Sequence, residues 1–188
     1  IFSFLNYPMK SKSVLRKDLK NKIQSLPSSE RRALENAALS ALEKNDLFLN
    51  AQTILSFWSL PDEIFTHNFN EIWCETKRIL LPVVIGDELE LRQFEGVEKM
   101  QKGAFGIMEP QGEAFTDFDS IDLAIIPGVG FSPQGARLGR GKGYYDRLLP
   151  NLRCPKIGLA LSCQIAEEIP TDEWDISMDK VIFGNGIL

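Results

Sequence analysis

Apolar residues near the start of the chain recur every three or four positions, the period of a helix that buries one face. Leu15, Leu19 and Ile23 mark this stripe from Ser13 onward, with basic residues between them. Pro27 interrupts the pattern, and the two serines that follow it are N-cap candidates for another helix. The pattern therefore predicts two successive amphipathic helices.

Further along, the period changes to short continuous apolar runs, which are typical of strands buried on both faces. Five strands are predicted, at residues 53–59, 78–85, 123–126, 156–161 and 180–183. Helices are predicted between them, at 66–77, near 144–149 and at 164–168. Residues 86–120 are less regular and rich in turn residues. Uniformly apolar strands that alternate with helices indicate an α/β fold with a mostly parallel central sheet flanked by helices.

The chain has 188 residues and contains neither an internal repeat nor a Pro/Ser-rich linker. One domain usually takes about 100–200 residues, so we predict a single α/β domain over residues 9–188. Met9 is followed by a short basic, polar stretch that looks like a natural start. We therefore interpret residues 1–8 as a non-native or disordered extension.

The charge balance disfavours several classes of partner. Acidic residues number 26 and basic residues 21, which gives a net charge of −5, whereas non-specific nucleic-acid and membrane-surface binders need a basic excess. One histidine and three widely spaced cysteines exclude a zinc site of the usual Cys/His type. Unpaired cysteines without framework spacing favour reduced thiols. We expect a cytoplasmic monomer with no nucleic-acid or membrane partner.

The densest chemistry lies in the loop that follows the 123–126 strand. Three glycines there alternate with two cations: Gly139, Arg140, Gly141, Lys142 and Gly143. Glycines let backbone N–H groups approach an anion, and the cations neutralise phosphate charge. Asp146, just beyond, offers the hard oxygen that magnesium prefers. Ligands of parallel sheets bind beyond the carboxyl ends of strands, so this loop and the one at residues 61–63 are the candidate sites.

Known phosphate-binding motifs do not describe this loop. A Walker A motif would need glycine where Ala136 stands and Ser or Thr at Gly143, and Tyr144 occupies the last glycine of a G-x-G-x-x-G pattern. Two other interpretations are a flexible basic turn and a single-stranded nucleic-acid platform that uses Tyr144 and Tyr145 for stacking. Both stay open on the residues alone.

Several motifs together resemble those of the 5-formyltetrahydrofolate cyclo-ligase family. They are Lys12-x-x-Leu-Arg16, Asp62-Glu63-Ile-x-Thr66, Gly106-Ile-x-Glu-Pro110, Pro127-Gly128-Val-Gly-Phe131 with Gly135-x-Arg137-Leu-Gly-Arg-Gly-Lys-Gly-Tyr-Tyr-Asp146, and Asp175-x-x-x-Asp179. The motifs occur in the family's order and extend the resemblance over the whole chain from about Lys12. One departure is Ser132, where related sequences often carry Asp; we expect Ser132 to cap its turn.

The resemblance implies an enzyme that uses ATP and Mg²⁺ to convert 5-formyltetrahydrofolate into 5,10-methenyltetrahydrofolate, ADP and phosphate. It implies an ATP site formed by Arg137, Leu138, Gly139, Arg140, Gly141, Lys142, Gly143, Tyr144 and Tyr145, joined by Lys12 and Arg16 from the first helix. Lys142 and Arg140 would be the catalytic cations that face the phosphates. Asp146 and Asp175 would hold the metal, with Asp175 favoured over Asp179.

On the folate side, the resemblance implies contacts from Glu63, because its two oxygens can accept from adjacent N–H donors of a pterin ring. Trp58 would pack on that ring, and Arg140 to Tyr144 would also contact the substrate. Residues 106–110 are expected nearby, with Phe105 or Met108 as an apolar wall. His67 is left with a surface or capping role. The alternative function is a non-catalytic nucleotide-binding or regulatory module on the same fold.

Overall fold

The computed structural model describes residues 10–103, 106–184 and 186–188. The proposed extension at residues 1–8 therefore lies outside the described residues, as does Phe105. The helices are α1 Lys12–Ser25, α2 Ser28–Glu43, α3 Asp46–Asn50, α4 His67–Trp73 and α5 Tyr144–Leu148. The strands are β1 Thr53–Leu55, β2 Arg78–Ile85, β3 Glu88–Gln93, β4 Met100–Lys102, β5 Met108–Pro110, β6 Leu123–Ile126, β7 Gly130–Phe131, β8 Arg137–Leu138, β9 Lys156–Ala160, β10 Lys180–Phe183 and β11 Gly186–Ile187.

Seven strands form the central sheet in the order β11-β10-β9-β6-β1-β2-β3. The five inner strands are parallel to one another. The edge strands β3 and β11 run antiparallel to their neighbours β2 and β10. The pairs β4–β5 and β7–β8 form two small antiparallel ribbons. The predicted α/β fold with a mostly parallel central sheet is confirmed.

The inner strands of the sheet are buried on both faces along most of their length, which explains why they are largely apolar, whereas the edge strand β3 (ELELRQ) is mostly polar and partly exposed. Successive strand residues point to opposite faces. Ile54 of β1 packs in the cluster that contains α2, α3 and α4, whereas Leu55 packs on the other face with Leu148 at the end of α5. Of the described residues, none lies in a helix long and apolar enough to span a membrane.

Strand β1 is shorter than predicted and ends at Leu55 rather than at residue 59. Beyond its end, polar side chains at the start of α4 bond to the backbone where a strand partner would otherwise do so. The carbonyl of Phe57 accepts hydrogen bonds from Thr66 Oγ1 at 2.6 Å and Asn70 Nδ2 at 3.0 Å. The Ser56 amide still donates to the Leu80 carbonyl of β2 at 2.8 Å, so the chain leaves the sheet after Ser56.

Two helix predictions also need correction. The predicted helix at 66–77 is shorter, His67–Trp73. Residues 164–168 do not form the predicted helix. A single 3₁₀ turn, Ser162–Gln164, overlaps its first residue. There Gln164 accepts from the Leu161 amide at 2.7 Å and donates to the Gly128 carbonyl at 2.8 Å, so its side chain caps the start of the turn and ties it to the loop after β6.

Candidate active site

The loops after β1 and β6 meet because these strands are parallel neighbours, with Ile54 paired to Leu123. The carboxyl ends of both strands therefore open at the same edge of the sheet, as predicted. A cavity of about 430 Å³ lies at this edge. Its walls include Glu63 from the first loop and Pro127 to Gly128 from the second.

Within the described part of the chain, this cavity is the larger of two at the site, and most of its lining consists of apolar side chains. They are Phe57, Trp58, Leu60, Pro82, Val84, Leu89, Ile107 and Met108. Two carboxylates, Glu63 and Glu109, are set into these walls and are 8% and 6% exposed. A few polar groups on apolar walls suit a flat organic ligand that carries hydrogen-bond donors.

A second, polar cavity of about 250 Å³ adjoins the first. Lys12 and Arg16 of α1 line one side, and Asp172, Trp174 and Asp175 line the other. Lys12 and Arg16 are four residues apart, so they lie on one face of α1 and reach the same cavity. Cations and carboxylates around one polar space suit an anion accompanied by a metal ion.

The glycine loop separates the two cavities and borders both of them. The residues common to the two linings are Arg137, Gly139, Gly141, Gly143 and Asp146. Gly141 and Gly143 have φ angles of 95° and 71°, which disfavour residues with a Cβ. The Nε of Arg16 donates to the Gly139 carbonyl at 2.7 Å and so ties α1 to the loop.

Arg140, which the resemblance assigns to the phosphates, reaches across the larger cavity toward two acids. Its Nη2 and Nε lie 3.0 Å and 3.2 Å from Glu63 Oε1, and its guanidinium also bonds to Asp62. The other Glu63 oxygen accepts from the Leu60 amide at 2.9 Å. Burial raises the pKa of Glu63, while Arg140 and the Leu60 amide oppose that shift. Arg140 thus pairs with both acids of the first loop, Asp62 and Glu63.

Trp58 is half-buried and lies three residues beyond the end of β1. It packs against the core and also lines the larger cavity. The ring of His67, the first residue of α4, stacks on the indole with centroids 3.7 Å apart and planes 10° from parallel. His67 therefore has a packing role rather than the surface or capping role expected from the sequence.

Three carboxylates bear on the metal prediction. Asp146 Oδ1 accepts from Arg137 Nη2 at 2.6 Å, and Asp175 Oδ2 accepts from Lys12 Nζ at 2.8 Å. Asp179 instead accepts from the Lys156 amide at 2.7 Å, at the start of β9. Asp146 and Asp175 line the polar cavity and Asp179 does not. Asp175 and not Asp179 therefore lies at the polar cavity with Asp146, and a metal role for Asp175 stays a prediction.

Within residues 10–103, 106–184 and 186–188, no cluster of three or more His, Cys, Asp or Glu side chains is arranged to hold a metal ion. Magnesium is usually held by one or two carboxylates together with substrate phosphates and waters, so such a cluster is not required. Asp146 and Asp175 fit this pattern, because they supply hard oxygens at a cavity that also carries Lys12 and Arg16.

Three further loop residues, Lys142, Tyr144 and Tyr145, differ in how exposed their side chains are. Lys142 is exposed at the larger cavity. The two tyrosines lie under arginines: Arg147 is 5.5 Å from the ring centroid of Tyr144, and Arg137 is 5.3 Å from that of Tyr145. Burial raises the pKa of Tyr145 well above its ordinary value, so its hydroxyl stays protonated.

Comparison with known proteins gives the family. A sequence profile described as the 5-formyltetrahydrofolate cyclo-ligase family matches residues 8–184. The chain belongs to the 5-formyltetrahydrofolate cyclo-ligase family. The 5-formyltetrahydrofolate cyclo-ligase of Mus musculus is 30% identical over 191 residues, which cover 92% of this chain and 93% of the relative. That of Haemophilus influenzae is 30% identical over 156 residues, or 78% and 81% of the two chains.

Solved structures agree with this cyclo-ligase assignment. The NMR structure of Aquifex aeolicus 5,10-methenyltetrahydrofolate synthetase matches with a TM-score of 0.85 and 35% identity, over 94% of this chain and 91% of that one. The Mycoplasma pneumoniae 5,10-methenyltetrahydrofolate synthetase matches with a TM-score of 0.75 and 29% identity, over 94% and 100%. The fold and the enzyme family are therefore the same in all three.

Sequence reasoning missed three acids of the candidate site. Asp62 pairs with Arg140, and Asp172 accepts from Lys12 Nζ at 2.6 Å. Glu109 Oε1 accepts from the Val84 amide at 3.1 Å and lines the larger cavity. Asp62 and Glu109 stand inside quoted family motifs, which was a usable signal, whereas Asp172 had none.

Proposed function

We propose that the protein converts 5-formyltetrahydrofolate into 5,10-methenyltetrahydrofolate with ATP and Mg²⁺, releasing ADP and phosphate. The observation that carries the proposal is the glycine loop that forms a common wall of two unlike cavities. A reaction between a flat organic substrate and a polyphosphate needs two such sites in contact. The family membership supports the same assignment.

The larger cavity is the proposed folate site. Its apolar walls suit the pterin ring, and the Glu63 carboxylate suits the N–H donors on that ring. Trp58 supplies an aromatic surface for packing. Met108 lines the cavity as well, which supports the expectation that residues 106–110 lie on the substrate side.

The polar cavity and the glycine loop are the proposed ATP site. Lys12 and Arg16 come from α1, and Lys142 and Arg140 stand on the loop itself. Positioned cations beside backbone N–H groups stabilise the charge that develops on a transferring phosphoryl group. Asp146 and Asp175 would hold Mg²⁺, which when bound neutralises phosphate charge.

The chemistry needs alignment more than a protein nucleophile. In the proposed reaction the formyl oxygen attacks the γ-phosphorus of ATP, and the bond to ADP breaks. N10 then closes the ring onto the formyl carbon and releases its proton, and phosphate leaves with the former formyl oxygen. Lys142 and Arg140 orient the phosphates, while the cavity walls hold the formyl group against them. A site without a catalytic histidine is adequate because the substrate supplies both nucleophiles.

A turnover assay tests the proposal. The protein is mixed with 5-formyltetrahydrofolate, ATP and Mg²⁺, and methenyl-folate absorbance is followed together with ADP release. One ADP for each methenyl product is expected. ATP binding without turnover would instead identify a non-catalytic nucleotide-binding or regulatory module.

Single-stranded nucleic-acid binding is the other alternative, and it would show as oligonucleotide affinity that falls steeply with salt. The arginines that cover Tyr144 and Tyr145 argue against a free stacking platform there. A monomeric state and a cytoplasmic location stay predictions from the sequence.

A further inference from the structure

The only histidine of the chain, His67, contacts the wall of the larger cavity through Trp58, which lines that cavity. Its ring lies on the Trp58 indole in a nearly parallel stack, and the Phe65 ring lies 4.4 Å away at a tilt of 46°. The Nε2 atom of His67 is 3.2 Å from the Ser59 carbonyl. Because a carbonyl only accepts, Nε2 carries the proton in this contact.

The start of α4 also holds the backbone on both sides of Trp58. The Phe57 carbonyl accepts from Thr66 Oγ1 and Asn70 Nδ2, and the Ser59 carbonyl accepts from His67. The carbonyls that flank Trp58 in sequence are therefore both fixed by side chains of one short segment. The indole plane and its backbone are set by the same helix end.

Burial favours the neutral form of the His67 ring. Burial lowers its pKa, and the Ser59 carbonyl and the Glu71 carboxylate only partly oppose that shift. A neutral imidazole with its proton on Nε2 stacks on the indole without placing a charge beside the cavity. Its contribution is therefore geometric.

The imidazole covers one face of the indole and the Phe94 ring lies 5.7 Å from it at a tilt of 39°, so Trp58 lines the cavity with the part of its ring that these two leave uncovered. We propose that His67 is a positioning residue that fixes the plane of Trp58 for packing against the pterin ring. This inference rests on the proposed function, because it takes the larger cavity to be the folate site. His67 acts through the position of its ring and does not transfer a proton.

Three variants separate the ring from its hydrogen bond. His67→Ala removes both, His67→Phe keeps a flat ring but no donor, and His67→Gln keeps a donor without the ring. An aromatic stack of this kind corresponds to roughly a 3- to 10-fold effect on binding. We expect His67→Ala to raise the KM for 5-formyltetrahydrofolate by about that factor, with the KM for ATP and kcat changed less than about twofold. His67→Phe should restore most of the loss, and His67→Gln should not.

A folate KM unchanged by His67→Ala would overturn the inference. So would equal losses in kcat and in both KM values, or rescue by His67→Gln equal to that by His67→Phe. If the alanine variant fails to fold, the phenylalanine and glutamine pair still decides between ring and hydrogen bond.

The wild-type enzyme gives an independent readout, because a single histidine produces a single set of imidazole NMR signals. Those signals should shift when 5-formyltetrahydrofolate is added and stay in place with a non-hydrolysable ATP analogue alone. Folate binding that leaves the signals unmoved would contradict the role of His67. Binding with the expected shift but no turnover would refute the proposed reaction and leave this inference intact, and a protein that binds no folate would refute both.

Discussion

The guanidinium of Arg140 lies against the carboxylate of Glu63, with Nη2 3.0 Å and Nε 3.2 Å from Oε1. The two residues are 77 positions apart and belong to the loops that follow β6 and β1. A cation that we propose for the ATP site and an acid that we propose for the folate site are thus paired at the larger cavity. The pair joins the two proposed substrate sites through one side chain.

That pairing predicts coupled binding. A polyphosphate on the glycine loop should draw Arg140 away from Glu63 and free Oε1 for the pterin donors. A non-hydrolysable ATP analogue should therefore tighten the binding of 5-formyltetrahydrofolate by about fivefold or more, measured by titration calorimetry, with the same factor when the order is reversed. Arg140→Gln should bring the factor close to one. Equal coupling in the wild type and the variant would contradict this role for Arg140.

The Glu63 carboxylate should act mainly on folate binding. Glu63→Gln keeps the size of the side chain but turns one acceptor into a donor, which opposes the pterin N–H groups. We expect the KM for folate to rise roughly 10- to 100-fold, as for loss of a charged hydrogen bond, with a smaller change in the KM for ATP.

The matched control for Glu63→Gln is Asp62→Asn, because Asp62 is the more exposed partner of Arg140. Its effect on the folate KM should stay within about threefold, since exposed ion pairs contribute little. If both variants behave alike, Glu63 acts by holding Arg140 and not by touching the folate.

Lys142 should contribute to the chemical step. Removing one positioned donor from a developing anion lowers kcat by about 100- to 1000-fold in comparable sites, and Lys142→Ala is expected in that range with an unchanged melting temperature. Lys17→Ala is the matched control, because Lys17 is an exposed lysine of α1 outside both cavity linings. A Lys142→Ala enzyme with the wild-type rate would remove Lys142 from the phosphate site.

The second metal ligand can be tested against its neighbour in sequence. Asp175→Asn should raise the Mg²⁺ concentration that gives half-maximal turnover, because a neutral amide is a poorer magnesium ligand than a carboxylate. Asp179→Asn should leave that concentration unchanged, since Asp179 caps the start of β9. A larger shift for Asp179→Asn than for Asp175→Asn would reverse the assignment.

His67 should make stability depend on pH in a defined direction. Burial lowers its folded-state pKa below the ordinary value of 6.5, even though the Ser59 carbonyl and Glu71 oppose the shift. Between the two values the unfolded chain binds more protons, so the contribution of His67 is complete above about pH 6.5 and decreases as the pH falls toward the folded-state pKa.

Denaturant unfolding of the wild type and of His67→Phe, compared from pH 7.5 to pH 5, measures this contribution. The wild type should lose stability relative to the variant as the pH falls. If the wild type instead keeps or gains stability relative to His67→Phe as the pH falls, His67 is not destabilised as a cation.

The sequence predicted the five inner strands of the sheet because they are largely buried on both faces, and it missed the edge strands β3 and β11, which are more exposed. Residues 78–85, 123–126 and 180–183 became strands with the predicted bounds. The 53–59 strand was wrong by four residues at its end, since hydrogen bonds from α4 to Phe57 come from residues distant in sequence. No local pattern of hydrophobicity contains such bonds.

The candidate site shows the same division. The glycine loop and the acid at Glu63 were evident from local chemistry and motif, whereas the contact between Arg140 and Glu63 depends on β1 and β6 being neighbours in the sheet. Trp58 was assigned to the cavity, but the His67 ring behind it was not, because stacking across nine residues leaves no periodic signal.

The most direct test of the proposed reaction follows the formyl oxygen itself. 5-Formyltetrahydrofolate labelled with ¹⁸O in the formyl group is turned over with ATP and Mg²⁺, and the released phosphate is examined by mass spectrometry. If the formyl oxygen attacks the γ-phosphate at the boundary of the two cavities, each phosphate carries one ¹⁸O atom. Phosphate without the label, alongside formation of methenyl-folate, would contradict that account.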